Sequence, residues 1–164
     1  MLPTLAGAFS QVDDFVSSAM SVINRRKNRA GRALELHLAT VFQEEGVSFQ
    51  AQVMTETGSK VDFLFPSLDR YQGATSAASD IHMLAVKTTL KDRWRQVLQE
   101  GKKVSPKHLF TLDEGVSLAT YQDMKSRDLQ LVVPQRKVAH FPEPVRQDIL
   151  TLRTFIELVK GAAA

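Results

Sequence analysis

The 164-residue chain contains no cysteine. That excludes disulfide frameworks, thiolate zinc centres and cysteine nucleophiles, and it suits a reducing cytoplasm. No apolar run is long enough to cross a bilayer. The opening stretch reaches Asp13 and Asp14 before any extended apolar core, so it lacks a signal-peptide pattern. No glycine-rich phosphate loop is present. The four histidines, His37, His82, His108 and His140, show no helical i, i+4 metal spacing, and structural or surface roles are expected for all of them. Neither an internal repeat nor a linker divides the chain, which reads as one domain over residues 1–164 with a helical lead-in over 1–24 and a frayed tail over 161–164.

What is present is an ordinary globular composition, 43% hydrophobic and 24% charged. The net charge of +3 hides clustering. Arg25, Arg26, Lys27, Arg29 and Arg32 stand together without an acid among them, and a second basic block runs from Lys87 to Lys103. Two such blocks in one small domain suit a polyanion such as nucleic acid. Two solvated helix faces would look the same by charge alone.

Apolar periodicity predicts helices over Gln11–Asn24 and Asn28–Gly46, the second stopped by its glycine. Strands are expected over Ser48–Thr55, Val61–Phe65 and Ile81–Thr89, the last apolar enough to be central. Leu68–Asp80 reads as loop, and Lys91–Glu100 as a helix. Leu109–Leu112 and Leu129–Val133 read as strands, Val116–Lys125 and Gln147–Lys160 as helices. The order implies an α/β domain with a central mixed sheet flanked by helices.

The segment Lys60–Glu100 carries the chemistry. Asp62 stands inside a strand beside Phe63-Leu64-Phe65, a context that predicts burial. Lys87 ends an apolar strand, where its charge is costly unless paired. Glu100 follows at the end of the next helix, on its polar side. Two carboxylates and a lysine are a kit for phosphodiester hydrolysis: the acids suit Mg²⁺, the metal activates water, and the lysine adds fixed positive charge. A buried Asp62–Lys87 ion pair is the structural alternative.

The order Asp62, Lys87, Glu100 resembles the PD-(D/E)xK nuclease superfamily in its migrated-acid variant. Ala85 stands where the usual acid would precede the lysine, and Val61 replaces the usual proline. More specifically, five stretches resemble the catalytic C-terminal domain of the EcoRII restriction endonuclease family: Arg29–Leu38, Lys60–Pro66, Leu84–Leu98, Lys107–Leu112 and Leu129–Pro134. The block Lys87-Thr-Thr-Leu-Lys-Asp-Arg-Trp-Arg-Gln96 is the most specific, and the resemblance runs from about Asn24 onward.

The resemblance implies a restriction-endonuclease-like core and a type II site-specific deoxyribonuclease. Such an enzyme uses Mg²⁺ to cut double-stranded DNA at CCWGG or a related sequence and leaves 5′-phosphates. Asp62, Lys87 and Glu100 would be the catalytic set, with Asp62 and Glu100 holding the metal. Glu35 would be an auxiliary acid. It shares a helix face with Leu38 and Phe42, which also suits a carboxylate at the core edge. Tyr71 matches a family tyrosine near the active site, and loop packing is its alternative. Lys91, Asp92 and Arg93 match a base-reading block of related CCGG-core enzymes: arginine serves guanine O6 and N7, aspartate accepts from cytosine N4, and lysine donates to guanine. A capping Asp92 between two solvated cations is the plainer alternative. Arg95 is expected as a phosphate or dimer contact and Trp94 as a core anchor. Arg25, Arg26, Lys27, Arg29 and Arg32 are read as phosphate contacts that position the duplex.

A homodimer on a near-palindromic site follows from the family, as do a companion DNA methyltransferase, a bacterial or archaeal cytoplasm, and extrusion of the central base pair. The full EcoRII protein carries a further N-terminal DNA-binding domain that restrains cleavage. For this chain, natural short enzyme or excised domain, cleavage without a second activating site is expected. A structure-specific repair or recombination nuclease, or a catalytically silent DNA-binding module, would share the same core.

Overall fold

The computed structural model describes residues 12–75 and 78–162. A six-stranded mixed sheet is built in chain order, β1 (Gln50–Met54), β2 (Lys60–Phe65), β3 (His82–Lys87), β4 (Lys107–Thr111), β5 (Leu129–Val133) and β6 (Leu150–Thr151). β1 pairs antiparallel with β2 and β2 with β3, and β3 through β6 run parallel to one another. One face is covered by the C-terminal half of α1 (Val12–Glu44) and by α6 (Leu152–Ala162). The other is covered by α2 (Leu68–Gly73), α3 (Trp94–Val97), α4 (Leu118–Ser126) and α5 (Glu143–Arg146). A 3₁₀ segment, Gln135–His140, links β5 to α5.

Strand β3 is central as expected, and its side chains divide between two cores. Met83 and Ala85 pack with Trp94, Val97, Tyr121 and Met124, whereas Leu84 and Val86 pack with Leu38, Phe42 and Phe155. On the α1 side the filling is aromatic. The Phe42 ring makes edge contacts with Phe63 and Phe65, each at a centroid distance of 5.2 Å, and with Phe49 at 5.6 Å. His82 and His108 are buried on this side near Phe155. Burial and the neighbouring imidazole push the His108 pKa down to about 4, so both fill the core as neutral rings.

Several expected boundaries move. The two N-terminal helices are one, α1, 33 residues long. No residue between Asn24 and Asn28 breaks a helix, and Gly31 inside it costs only about 1 kcal/mol. Gly46, at φ +69°, ends the helix region as expected. The expected loop after Pro66 holds α2, which begins where the Ser67 hydroxyl accepts a bond from the Arg70 amide, 3.2 Å away. Helix Lys91–Glu100 shrinks to a 3₁₀ turn, Lys91–Arg93, followed by the single turn of α3. Helix Gln147–Lys160 starts later, at Leu152, because Leu150 and Thr151 pair with Val132 and Val133 as a sixth strand. Of the proposed N-terminal lead-in, residues 1–11 lie outside the described residues; of the frayed tail, 163–164 do, while α6 continues through Ala162. Among the described residues no helix is long and apolar enough to cross a membrane.

The aromatic cluster on Phe42 ties α1 to the sheet. Phe42→Ala is expected to cost about 3–5 kcal/mol of folding free energy, read from the urea midpoint.

Candidate active site

The site forms where β2 and β3 part. Their pairing covers Phe63–Phe65 against His82–Leu84, although β2 continues back to Lys60 along β1 and β3 continues on to Lys87 along β4. Beyond Leu84 the Val86 amide therefore has no main-chain acceptor in β2. Asp62 supplies a side-chain one: its Oδ2 accepts from Val86 N at 2.7 Å. That bond sets Asp62 beside the residue preceding Lys87. Val61 and Phe63, two residues apart, pack into opposite cores, so the pleat turns over at Asp62. Asp62 is half-buried, more open than its apolar neighbours implied.

Between the ladder pairs Ala51–Phe63 and Val53–Val61, beside Asp62, stands Gln52, a residue with no expected role. Its φ of +55° is rare for a non-glycine residue inside a strand. Its amide Nε2 donates to Glu35 Oε2 at 2.7 Å and lies 3.3 Å from Asp62 Oδ1. A single amide thus holds two carboxylates from different elements. Nothing in a one-residue context distinguishes this glutamine from Gln50, because the backbone conformation that aims it is a product of the fold. Glu35 stands on α1 one turn before the buried Leu38, and its carboxyl does face the sheet. Burial raises its pKa and the charge of Asp62 adds to this, while Arg32, Lys87 and Gln52 oppose the rise.

Glu100 arrives by a route different from the expected helix face. The chain after α3 tightens into turns in which the Gln99 and Glu100 amides donate three residues back, to Gln96 and Val97. Gly101 then takes φ +49° and passes so near Met83 that an added Cβ would lie 2.8 Å from its sulfur. Glu100 is consequently buried, 8% exposed, and its Oε2 has no hydrogen-bond partner. Burial pushes its pKa up to about 7, Asp62 adds to the rise, and the Lys87 and Lys107 charges oppose it. Lys107 donates to the carbonyls of Gly101 and Val104 at 2.9 and 3.3 Å, which braces the turn that carries Glu100. Among the described residues no ion pair within 4 Å joins Lys87 to Asp62 or Glu100, so the closed Asp62–Lys87 bridge is not what the fold makes.

Glu35, Gln52, Asp62, Lys87 and Thr88 line a polar cleft of about 220 Å³ together with Lys27, Arg32 and Arg93, whereas Glu100 is not among its lining residues and stays buried. Of the basic residues on α1, Lys27 and Arg32 line the cleft; Arg25, Arg26 and Arg29 are exposed elsewhere along the helix. Of the base-reading triplet, Arg93 lines the cleft and Lys91 lines a separate cavity, while the side chain of Asp92 lies outside the described residues. Tyr71 is not brought to this cleft. Its hydroxyl donates to Glu56 at 2.8 Å, and burial together with that bond pushes its pKa up to about 12. Trp94 is a core anchor, 1% exposed, with the Arg95 guanidinium 4.5 Å above its ring and paired to Asp123 at 3.2 Å.

Among the described residues no cluster of three or more acids or imidazoles forms a ready metal cage. The donors nevertheless fit a hard divalent cation that keeps waters and takes one or two carboxylates. Asp62 is anchored at the cleft, and the buried Glu100 Oε2, which has no hydrogen-bond partner, is a free oxygen donor of the kind such a cation takes.

The EcoRII C-terminal family model matches residues 1–156, so the match begins well before Asn24. The chain is 47% identical over 165 residues to the type II restriction enzyme EcoRII of Escherichia coli, covering all of this chain and 41% of that protein. It is 27% identical over 112 residues to the type II restriction enzyme SsoII of Shigella sonnei, covering 62% of this chain and 36% of that one. The chain thus spans well under half the length of these relatives. Among solved structures, metal-depleted Ecl18kI with uncleaved, modified DNA aligns with a TM-score of 0.76 and 22% identity, covering 88% of this chain and 48% of Ecl18kI. A PspGI–substrate DNA complex aligns at 0.69 and 14% identity, covering 92% and 70%. Both share the fold.

Glu100 gives the site a pH signature. Its pKa in the folded chain, about 7, exceeds its ordinary value of 4.5, so the folded state holds a proton that the unfolded state releases. Stability from this group is therefore full below the ordinary value and falls as pH rises toward 7. In divalent-free buffer, Glu100→Gln should gain stability over the parent at pH 8 but much less at pH 5, by urea unfolding. An equal difference at both pH values would contradict the assignment.

Proposed function

The chain belongs to the family of EcoRII C-terminal domains, and from that premise we propose that it is a type II site-specific endodeoxyribonuclease. It hydrolyses double-stranded DNA at CCWGG or a close relative and leaves 5′-phosphates. The observation that carries this reading is one cleft in which Asp62, Glu35 and Lys87 meet Arg93 at the rim, with Lys27 and Arg32 along the adjoining helix. Cutting chemistry and base reading need groups of opposite charge within one duplex width: α1 and β2 supply the acids Glu35 and Asp62, and β3 with its following turn supplies Lys87 and Arg93.

In this mechanism the α1 cations Lys27 and Arg32 take backbone phosphates and set the duplex across the cleft. Arg93, six residues after Lys87, gives two bonds to guanine O6 and N7, so a correct base pair and the scissile phosphate are engaged from one short segment. Asp62 and Glu100 are the residues that would hold Mg²⁺. The bound ion would supply an activated water and charge neutralisation at the phosphate. Lys87 stabilises negative charge developing on the phosphoryl oxygens. Glu35, bridged to Asp62 through Gln52, keeps that acid oriented and adds negative field at the cleft floor. Two copies related by a two-fold axis would cut the two strands of a near-palindromic site. A methyltransferase that protects the same sequence would accompany the enzyme functionally.

Digestion of a plasmid of known sequence with Mg²⁺, followed by sequencing of the fragment ends, tests this reading. Cuts at one short sequence are expected; nicking guided by branches or gaps would indicate a structure-specific nuclease, and specific binding without cleavage a silent module. Lys87→Ala should abolish cutting yet leave sequence-specific binding largely in place. Arg93→Ala should weaken specific binding by about 1–3 kcal/mol in a mobility-shift titration, and unchanged selectivity would remove Arg93 from base reading.

A further inference from the structure

The 3₁₀ turn Lys91–Arg93 is held from a distance. No side chain of its own caps it, and Lys91 adopts φ +32°, the left-handed region that a non-glycine residue enters only when its surroundings impose it. One flank is open: a cavity of about 480 Å³ lies between Leu90, Lys91, Trp94 and Asp113. Packing alone therefore does not press the turn into place from that side.

The imposing group comes from the loop after β4. Asp113 Oδ2 accepts the Leu90 amide at 2.9 Å, at the residue where the turn begins. Asp113 is itself fixed from two directions. Its amide donates to the hydroxyl of Thr111, which is fully buried, at 3.1 Å, and its other carboxylate oxygen accepts the Glu114 amide at 3.0 Å. Thr111 stands opposite Lys87 in the β3–β4 ladder. The chain leaving Lys87 and the chain leaving Thr111 are thus tied again, a few residues beyond the last ladder pair, by one charged hydrogen bond.

We infer that Asp113 is a specificity-positioning residue: by holding the Leu90 amide it locks the entry to the Lys91–Arg93 turn in register with Lys87, so that base reading and cutting share one frame. This inference rests on the nuclease reading, and it adds a residue that touches neither DNA nor the reacting phosphate. Removing the acceptor frees the turn from its strained entry while leaving Arg93 and the catalytic groups chemically intact. The loss therefore falls on discrimination between sequences more than on affinity for duplex in general, because phosphate contacts from α1 do not depend on the turn.

Asp113→Ala, Asp113→Asn and Thr111→Val are compared with the parent by competition binding in divalent-free buffer, a CCWGG duplex against a scrambled duplex. Hydrogen exchange at the Leu90 amide is followed in parallel without DNA. Asp113→Ala should lose preference for the site by about tenfold with scrambled-duplex affinity unchanged, and Leu90 exchange should quicken by a similar factor. Asp113→Asn, which keeps one acceptor oxygen, should restore part of both, and Thr111→Val should show the same changes in smaller measure. Should Asp113→Ala fail to fold, the Asn and Val variants decide the matter by the same two measurements. Preference retained despite faster Leu90 exchange, or equal losses on both duplexes, overturns the inference while leaving the nuclease reading intact. A parent chain with no sequence preference sinks that reading, and this inference with it.

Discussion

The bond from Asp62 to the Val86 amide is the constraint around which the site is arranged. A sheet that stayed fully paired along β2 and β3 would have no cleft there, and a sheet that simply split would leave a main-chain donor without a partner. A carboxylate at the fork resolves this, because it accepts the stranded amide with one oxygen and keeps its other oxygen toward Gln52 at the cleft. The acid is thus a structural element of the sheet as well as a group for chemistry. Its position relative to Lys87 follows from backbone geometry instead of from a flexible ion pair.

The groups in and around the cleft are held against electrostatic and conformational preference. Glu35 and Glu100 are both pushed toward their neutral forms by burial and by the neighbouring acid, and Glu100 keeps an oxygen without a partner. Gln52 and Lys91 hold backbone angles that cost about 1–3 kcal/mol each. Such arrangements persist only in a rigid frame. Here the frame is the aromatic packing around Phe42 on one face of the sheet and the Trp94, Val97 and Met124 packing on the other. Acids held close together and pushed toward their neutral forms would be favoured in their charged forms by a divalent ion, which suits the chemistry proposed for them.

Membership of the EcoRII C-terminal family agrees with how far the sequence could be read. The block from Lys87 to Gln96 carried the family resemblance, and Asp62, Lys87 and Glu35 stand where their local patterns placed them, on a strand, at a strand end and on the inward face of a helix. Glu100 was expected as an acid of the set, and its surroundings differ from those its local pattern implied. Helical periodicity put it on a polar face, whereas the helix gives way after Val97 and Gly101 turns the chain inward. Tyr71 was placed near the chemistry by similarity, and its burial against Glu56 sets it in a neighbouring cavity. Gln52 and Asp113 carried no local signal.

The amino-acid sequence alone determined the class of chain, the central apolar strand, the acids and lysine available for phosphodiester chemistry, and the basic runs that suit a polyanion. These are properties of residue type and of short-range periodicity, and a linear pattern records them. Tertiary structure decided that the N-terminal helices are continuous, that β2 and β3 separate at Asp62, that Gln52 spans two carboxylates, and that Asp113 reaches back to Leu90. Each of these depends on groups from elements distant in the chain meeting at one point. The angles and hydrogen bonds involved exist only once both sides of the sheet are packed.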